Sequence, residues 1–284
     1  MEEEKRFLHK QHFNVHQTSA EQKARMWQEI EAQMHIKGTP AFYPTLRIVK
    51  WALSAAAISA ILFFTILSFF PSDIYHQTAF AEMQNIGLPD GSEVVLNANS
   101  SLKYSPSWKN KEVREVWLEG EGHFSVISAK KRSDKPFVVH TSQGDIKVTG
   151  TVFNANTRDR GLRVLLTEGV VELLLENQKA VQVQEGELVS YRKELKRGFP
   201  KNTAVFTSWT QKQLVFDDTP LSHSINFIEE HYGYEVQLND EELLNRKLTG
   251  TLPNPNLDVL LKAIANAFDI KVKRTKENTL TIEK

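Results

Sequence analysis

The sequence predicts a single-pass membrane protein. Its exported part is an all-β periplasmic domain, a sandwich or a short twisted stack, followed by a small α+β domain of two βαβ halves. Three observations carry this. Trp51 to Ser72 form a run of 22 residues without a charge. Residues 84–206 alternate short apolar runs with turn signals and show no useful helical period. Residues 207–284 repeat their apolar pattern at an offset of 36, so that Phe216 meets Leu252, Ile228 meets Ile264 and Tyr232 meets Phe268.

Residues 1–50 are too sparse in apolar side chains for a core and predict a cytoplasmic segment with one amphipathic helix, Ser19 to Met34. Ser19 and Gln22 stand at capping-box spacing. Met26, Ile30 and Met34 recur every fourth residue with Trp27 beside them, a stripe with nothing in its own short segment to cover it. It reads equally as a face for a partner groove and as a helix resting on the inner membrane surface. Gly38, Pro40 and Pro44 then interrupt the helix.

A transmembrane helix is expected at 51–71. At about 1.5 Å per residue, Trp51 to Phe70 would span about 30 Å, one hydrocarbon core. Its Leu, Ile and Phe side chains each favour insertion by about 0.3 to 0.6 kcal/mol near the bilayer centre. Its Ser and Thr hydroxyls can bond to the helix's own carbonyls. Lys37, Arg47 and Lys50 precede the run, and no Lys or Arg follows before Lys103, so the N-terminus is expected inside. A signal peptide cut near Ala79-Phe80-Ala81 would need an apolar region longer than the usual 7–15 residues, behind a long leading segment.

The all-β domain is expected over 84–206, with turns at Pro89-Asp90-Gly91, Ser105-Pro106, Ser142 to Asp145, Arg158 to Gly161, Glu176 to Lys179 and Glu185-Gly186. The α+β domain follows over 207–284. Thr219-Pro220 is expected to start its first helix, and Asn256 to cap its second. Leu221, Ile225, Ile228 and Tyr232, with Leu257, Leu261, Ile264 and Phe268, are expected to face one shared sheet. A hairpin turning at Glu277-Asn278 should close the chain.

Lys+Arg and Asp+Glu balance at 35 each, so no global field recruits nucleic acid. With no cysteine there are no disulfides, thiolate zinc sites or cysteine nucleophile, which suits a bacterial periplasm. Hydrolase, zincin and phosphate-loop motifs are missing. Gly120-Glu121-Gly122 holds only the first half of a dinucleotide fingerprint. Ser100 with Lys103, and Ser128 with Lys131, match a Ser-x-x-Lys pattern short enough to arise by chance. His9, His12 and His16 could share a helix face but lack a carboxylate to complete a metal site. His123 and His140 read as satisfied structural histidines in strands. The expectation is therefore a binding protein with no catalytic residue, cofactor or metal. The alternatives are a membrane-tethered periplasmic hydrolase whose site assembles only in three dimensions, and an envelope polymer-binding protein.

Several blocks carry a family resemblance. Ile86 to Ser92 followed by Val95-Leu96-Asn97 and Ser101 to Tyr104, Val116 to Val126, Lys135 to Val139, and Gly150-Thr151-Val152-Phe153-Asn154 resemble the FecR-like family of transmembrane anti-sigma factors, of the type common in Bacteroidota. Glu168 to Val171 and Glu185 to Glu187 are similar to its later turns. The last 78 residues resemble its C-terminal domain, related to the short N-terminal domain of secretins and TonB-dependent receptors. The resemblance implies a signal transducer at the inner membrane and its lipid. It would hold an extracytoplasmic-function sigma factor in the cytoplasm, with Met26, Trp27, Ile30 and Met34 as contacts. Its periplasmic domains would sense the signalling domain of a TonB-dependent outer-membrane receptor.

Overall fold

The computed structural model describes residues 19–34, 44–69, 72–109, 111–128, 135–159, 161–175, 178–253 and 256–283. For residues 34, 44–48 and 66–69 it describes the backbone alone. The chain divides into two units, Met1–Phe70 and Pro71–Lys284.

The first unit holds two helices, α1 (Ala20–Met34) and α2 (Pro44–Phe69). The capping box forms as a reciprocal pair: the Gln22 amide donates to Ser19 Oγ at 3.4 Å and the Ser19 amide to Gln22 Oε1 at 3.3 Å. In α2 the Ser54 hydroxyl donates to the Lys50 carbonyl at 2.8 Å and Thr65 to the Ile61 carbonyl, so these polar groups are satisfied inside the helix. Among the described residues no helix is long and apolar enough to cross a membrane. The described side chains of α2, residues 49–65, would cover about 25 Å, short of a hydrocarbon core.

The second unit begins as an all-β domain. Its strands are β1 (Ile74–Gln77), β2 (Gln84–Gly87), β3 (Glu93–Leu96), β4 (Ser101–Tyr104), β5 (Arg114–Glu119), β6 (Glu121–Ser125) and β7 (Phe137–Thr141). There follow β8 (Gly144–Val148), β9 (Val152–Asn156), β10 (Leu162–Glu168), β11 (Val171–Leu175), β12 (Val181–Val183), β13 (Leu188–Tyr191) and β14 (Leu195–Gly198). They form two sheets, ordered β1-β4-β5-β7-β8-β11-β12 and β14-β13-β10-β9-β6-β3-β2. Every described pairing in them is antiparallel except β5 with β7. Alternating side chains from both sheets fill one core. At its centre Phe124 stacks on Phe153 at 4.9 Å and meets Phe137 edge-on at 6.5 Å.

The Pro89-Asp90-Gly91 turn is more than a connector. Asp90 is buried, and its carboxylate accepts from the Ser92 amide, the Ser92 hydroxyl and Arg114 Nη1, the last at 2.6 Å. A buried charge of this kind persists because it is both paired and hydrogen-bonded.

The α+β domain contains α3 (Ala204–Thr207), a 3-10 turn Ser208–Gln211, β15 (Gln213–Pro220), α4 (Leu221–Phe227), a π turn Ile228–Tyr232 and β16 (Glu235–Leu238). Its second half contains a 3-10 turn Glu241–Asn245, β17 (Lys247–Pro253), α5 (Leu257–Phe268), β18 (Lys271–Lys276) and β19 (Thr279–Glu283). Each half is strand, helix, strand, and one apolar cluster binds both. The Glu277-Asn278 turn joins the antiparallel pair β18–β19.

Two expectations need correction here. The strands do not make one shared sheet: β15 pairs antiparallel with β17, and β16, β19 and β18 form a separate three-stranded sheet. A bulge shifts the β15–β17 register between Phe216 and Thr219, with Asp218 at φ 53°, and such bulges bend a strand away from its neighbours. Nor does Thr219 cap α4. It lies in β15, where its hydroxyl accepts from the Asp217 amide, and α4 begins at Leu221 behind Pro220. Asn256 does cap α5, its Oδ1 accepting from the Val259 amide at 2.9 Å.

Candidate functional site

Two places combine unusual chemistry with an exposed or partly covered surface. The first is α1. Its Met26, Trp27 and Ile30 side chains are all exposed, Trp27 by 62 %, while Met34 lies outside the described side chains. Large apolar groups on a helix seldom stay uncovered in a working protein.

The second is the junction between the all-β domain and the α+β domain. It is built on the outer face of the sheet that contains β9 and β10. The inner face of these strands is core, through Phe153, Ala155, Leu162, Val164 and Leu166. Yet Asn154, Asn156 and Leu165, which point the other way, are buried too. The α+β domain covers them. A cleft of about 730 Å³ runs between the two, floored by these strands and walled by Ser208–Gln211, β15 and α4.

Arg158 anchors one end of the cleft. It follows β9 on a turn and is only 9 % exposed. Its Nη1 donates to Glu121 at 3.4 Å and to Glu230, on the turn after α4, at 3.2 Å. Its Nη2 donates to the Ala98 carbonyl. Glu121 also accepts from Asn97 Nδ2 at 2.7 Å and Asn154 Nδ2 at 2.9 Å. The Glu121 amide donates to Ser100 Oγ at 3.0 Å, and the preceding Gly120 has φ 91° and passes so close that a Cβ there would lie 2.3 Å from that Oγ. One arginine thus ties β6, the Ala98 loop and the second domain together.

The electrostatics follow burial. Glu230 is raised above the usual carboxylate range by burial, against the pull of Arg158 and Arg163. His231 is pushed down to about 4, first by burial and then by Arg158. Burial also lowers His123, with Glu121 opposing. Nδ1 of His123 and of His231 is buried with no partner among the described residues. His123 therefore departs from the expected satisfied histidine: it stands opposite Asn154 on the covered face. A second contact closes the junction. The Ala81 amide donates to the His231 carbonyl at 2.7 Å, and Phe80 lies so close over Gly233 that a Cβ there would meet its ring at 2.8 Å.

The other candidates separate. The Ser100 hydroxyl donates to the Ala98 carbonyl and accepts from the Glu121 amide, whereas Lys103 lies 3.8 Å from Asp73. His140 Nδ1 meets Asp145 at 2.9 Å. Lys131 and His9, His12 and His16 lie outside the described residues. Among the described residues no group of three or more His, Asp or Glu is placed to hold a metal ion.

Sequence reasoning missed Glu121, Arg158 and Glu230 as a unit. Glu121 was visible only as the middle of a glycine pair, and nothing local connects it to Glu230.

The family model described as FecR protein matches residues 75–172, and that described as FecR, C-terminal matches residues 213–282. Two crystal structures of a "putative anti-sigma factor" from Parabacteroides distasonis, at 2.50 and 1.65 Å, are similar in fold. Both are 27% identical to this chain, with TM-scores of 0.63 and 0.64. They cover 75% and 74% of this chain and 99% of their own. No curated protein matches. That family is regulatory rather than enzymatic. With both of its domains matched in order, the chain belongs to the FecR-like family of anti-sigma factors.

Proposed function

We propose that this anti-sigma factor crosses the inner membrane once, with its N-terminus in the cytoplasm. There α1 holds an extracytoplasmic-function sigma factor through Met26, Trp27, Ile30 and Met34. In the periplasm the two domains contact the signalling domain of a TonB-dependent outer-membrane receptor. The observation that carries the reading is the ordered match to both FecR domains downstream of an apolar helix. The exposed Trp51, Ile58, Phe63 and Phe64 of α2 support a lipid environment, and the Lys/Arg asymmetry supports the orientation.

Receptor contact by strand addition suits the α+β domain. Among the described residues both β16 and β18 pair with β19 alone, which leaves each with an open edge there. Lys271, Lys273, Arg274 and Lys276 keep the β18 edge soluble until a partner arrives.

The test is co-isolation of the sigma factor with the tagged full chain from membranes. A Trp27→Ala/Ile30→Ala pair should lower capture roughly thirtyfold, the equivalent of about 2 kcal/mol for loss of an aromatic anchor. No capture by the wild type, or equal capture by the pair, removes α1 from sigma-factor binding.

A further inference from the structure

The junction cleft has two unlike walls. One is the outer face of the sheet. Asn156 on β9, Arg163 on β10, Ser190 on β13 and Lys196 on β14 are direct cross-strand neighbours, so they form one polar row. All four line the cleft. Arg163 and Lys196 are exposed, and neither has an ion-pair partner among the described residues. The other wall belongs to the α+β domain and presents Phe206, Trp209, Phe216 and Phe227. The Trp209 indole N–H is already spent on the Phe206 carbonyl at 3.0 Å, so that wall offers mainly apolar surface.

Two cleft carboxylates, Glu121 and Glu230, are engaged by Arg158. Asp159 and Glu194 sit on turns rather than on the row. The field of Arg163 is felt across the cleft: His223, on α4, is lowered by partial desolvation and then by Arg163. An unpaired guanidinium and ammonium opposite aromatic rings give the cleft one charged and one apolar wall. Such a cleft is filled well by a molecule with an anionic head and an apolar body.

We infer that the cleft between the two periplasmic domains binds a small anionic amphiphile, its acidic head on the Arg163–Ser190–Lys196 row and its apolar body against Phe206, Phe216 and Phe227. The volume of about 730 Å³ admits a ligand of this size. Because the walls come from different domains, such a ligand fixes their mutual position. The cleft shares no lining residue with β16, β18 or α1, so this inference stands whether or not those surfaces bind their proposed partners.

The test uses residues 71–284, which contain every residue of both apolar cores. Decanoate serves as the probe, with 1-decanol as the neutral body and inorganic phosphate as the head alone, followed by calorimetry and thermal melting. Decanoate should bind saturably and raise the melting temperature, while the other two at equal concentration do neither. Arg163→Ala/Lys196→Ala should weaken decanoate roughly tenfold, as for loss of charge-assisted contacts, without lowering the melting temperature of the free protein. Added salt should weaken the wild type in the same direction. Absence of saturable decanoate binding, equal binding of 1-decanol, salt-independent affinity, or a double variant that binds like the wild type would each overturn the inference.

Discussion

Arg158 reaches three separate stretches of chain: the Ala98 loop, β6 through Glu121, and the second domain through Glu230. Around it the histidines are held neutral. His231 has a folded-state pKa of about 4, below its ordinary 6.5. Between those values the unfolded chain gains a proton that the folded chain refuses. The stability is therefore complete above pH 6.5 and is lost as the pH falls toward 4. His123 and His223 are lowered too and add in the same direction. Glu230, raised, works against them, because the folded state takes up its proton first. The shift at His231 alone corresponds to at most about 3 kcal/mol. We expect residues 71–284 to melt at progressively lower temperature from pH 7 to pH 4.5. A His231→Gln variant should show a flatter profile, and identical profiles would place the acid sensitivity elsewhere.

At the scale of elements, α5 shows what periodicity captures. Leu257, Ile264 and Phe268 are buried where the repeat put them, and the Asn256 cap forms. The buried stripe, however, runs through Leu260, with Leu261 only half-covered. The matching position in α4 is Ser224, buried with its hydroxyl unpartnered among the described residues, so the repeat hid a core position. Ile264→Ala should cost about 2–5 kcal/mol, measured by urea unfolding of residues 71–284. An unchanged midpoint would mean that the α5 face is not core. The pairing of strands was not legible in the same way. Nothing local says that β15 must join β17 while β16 joins β19, because register depends on a bulge at Asp217–Asp218 that only the folded chain reveals. One signal of the cleft was present in the sequence. In Leu162–Leu166, strict alternation calls for a polar residue at 165, yet Leu stands there, and it is buried on the outer face.

For the whole molecule, the two FecR domains were readable in order because a series of turns and a repeat each announce themselves at long range. The junction was not, since Glu121 and Glu230 are brought together by domain packing and neither is unusual in its own neighbourhood. The proposed membrane passage has its own test. Alkaline phosphatase fused after Asp73 should be active and fused after Lys37 inactive. Activity in the reverse pattern would turn the chain around, and with it the assignment of α1 to the cytoplasm.

The contacts at Phe80 and Ala81 carry a mechanical consequence. A force applied at Asp73 and resisted by the α+β domain would run along β1, which among the described residues pairs with β4 alone, through Thr78 and Ala79, which bond to Asn97, Asn99 and Ser100, and then into Gly233 and the His231 carbonyl. The Asn97–Ser100 loop of the all-β domain, buried except at Asn99, shares that load. A pull on the second domain therefore has to break the Thr78 bonds to Asn97 and Ser100 before it strips β1 from its sheet and changes the slack of the chain beside residue 73, while the phenylalanine core of the first domain stays intact.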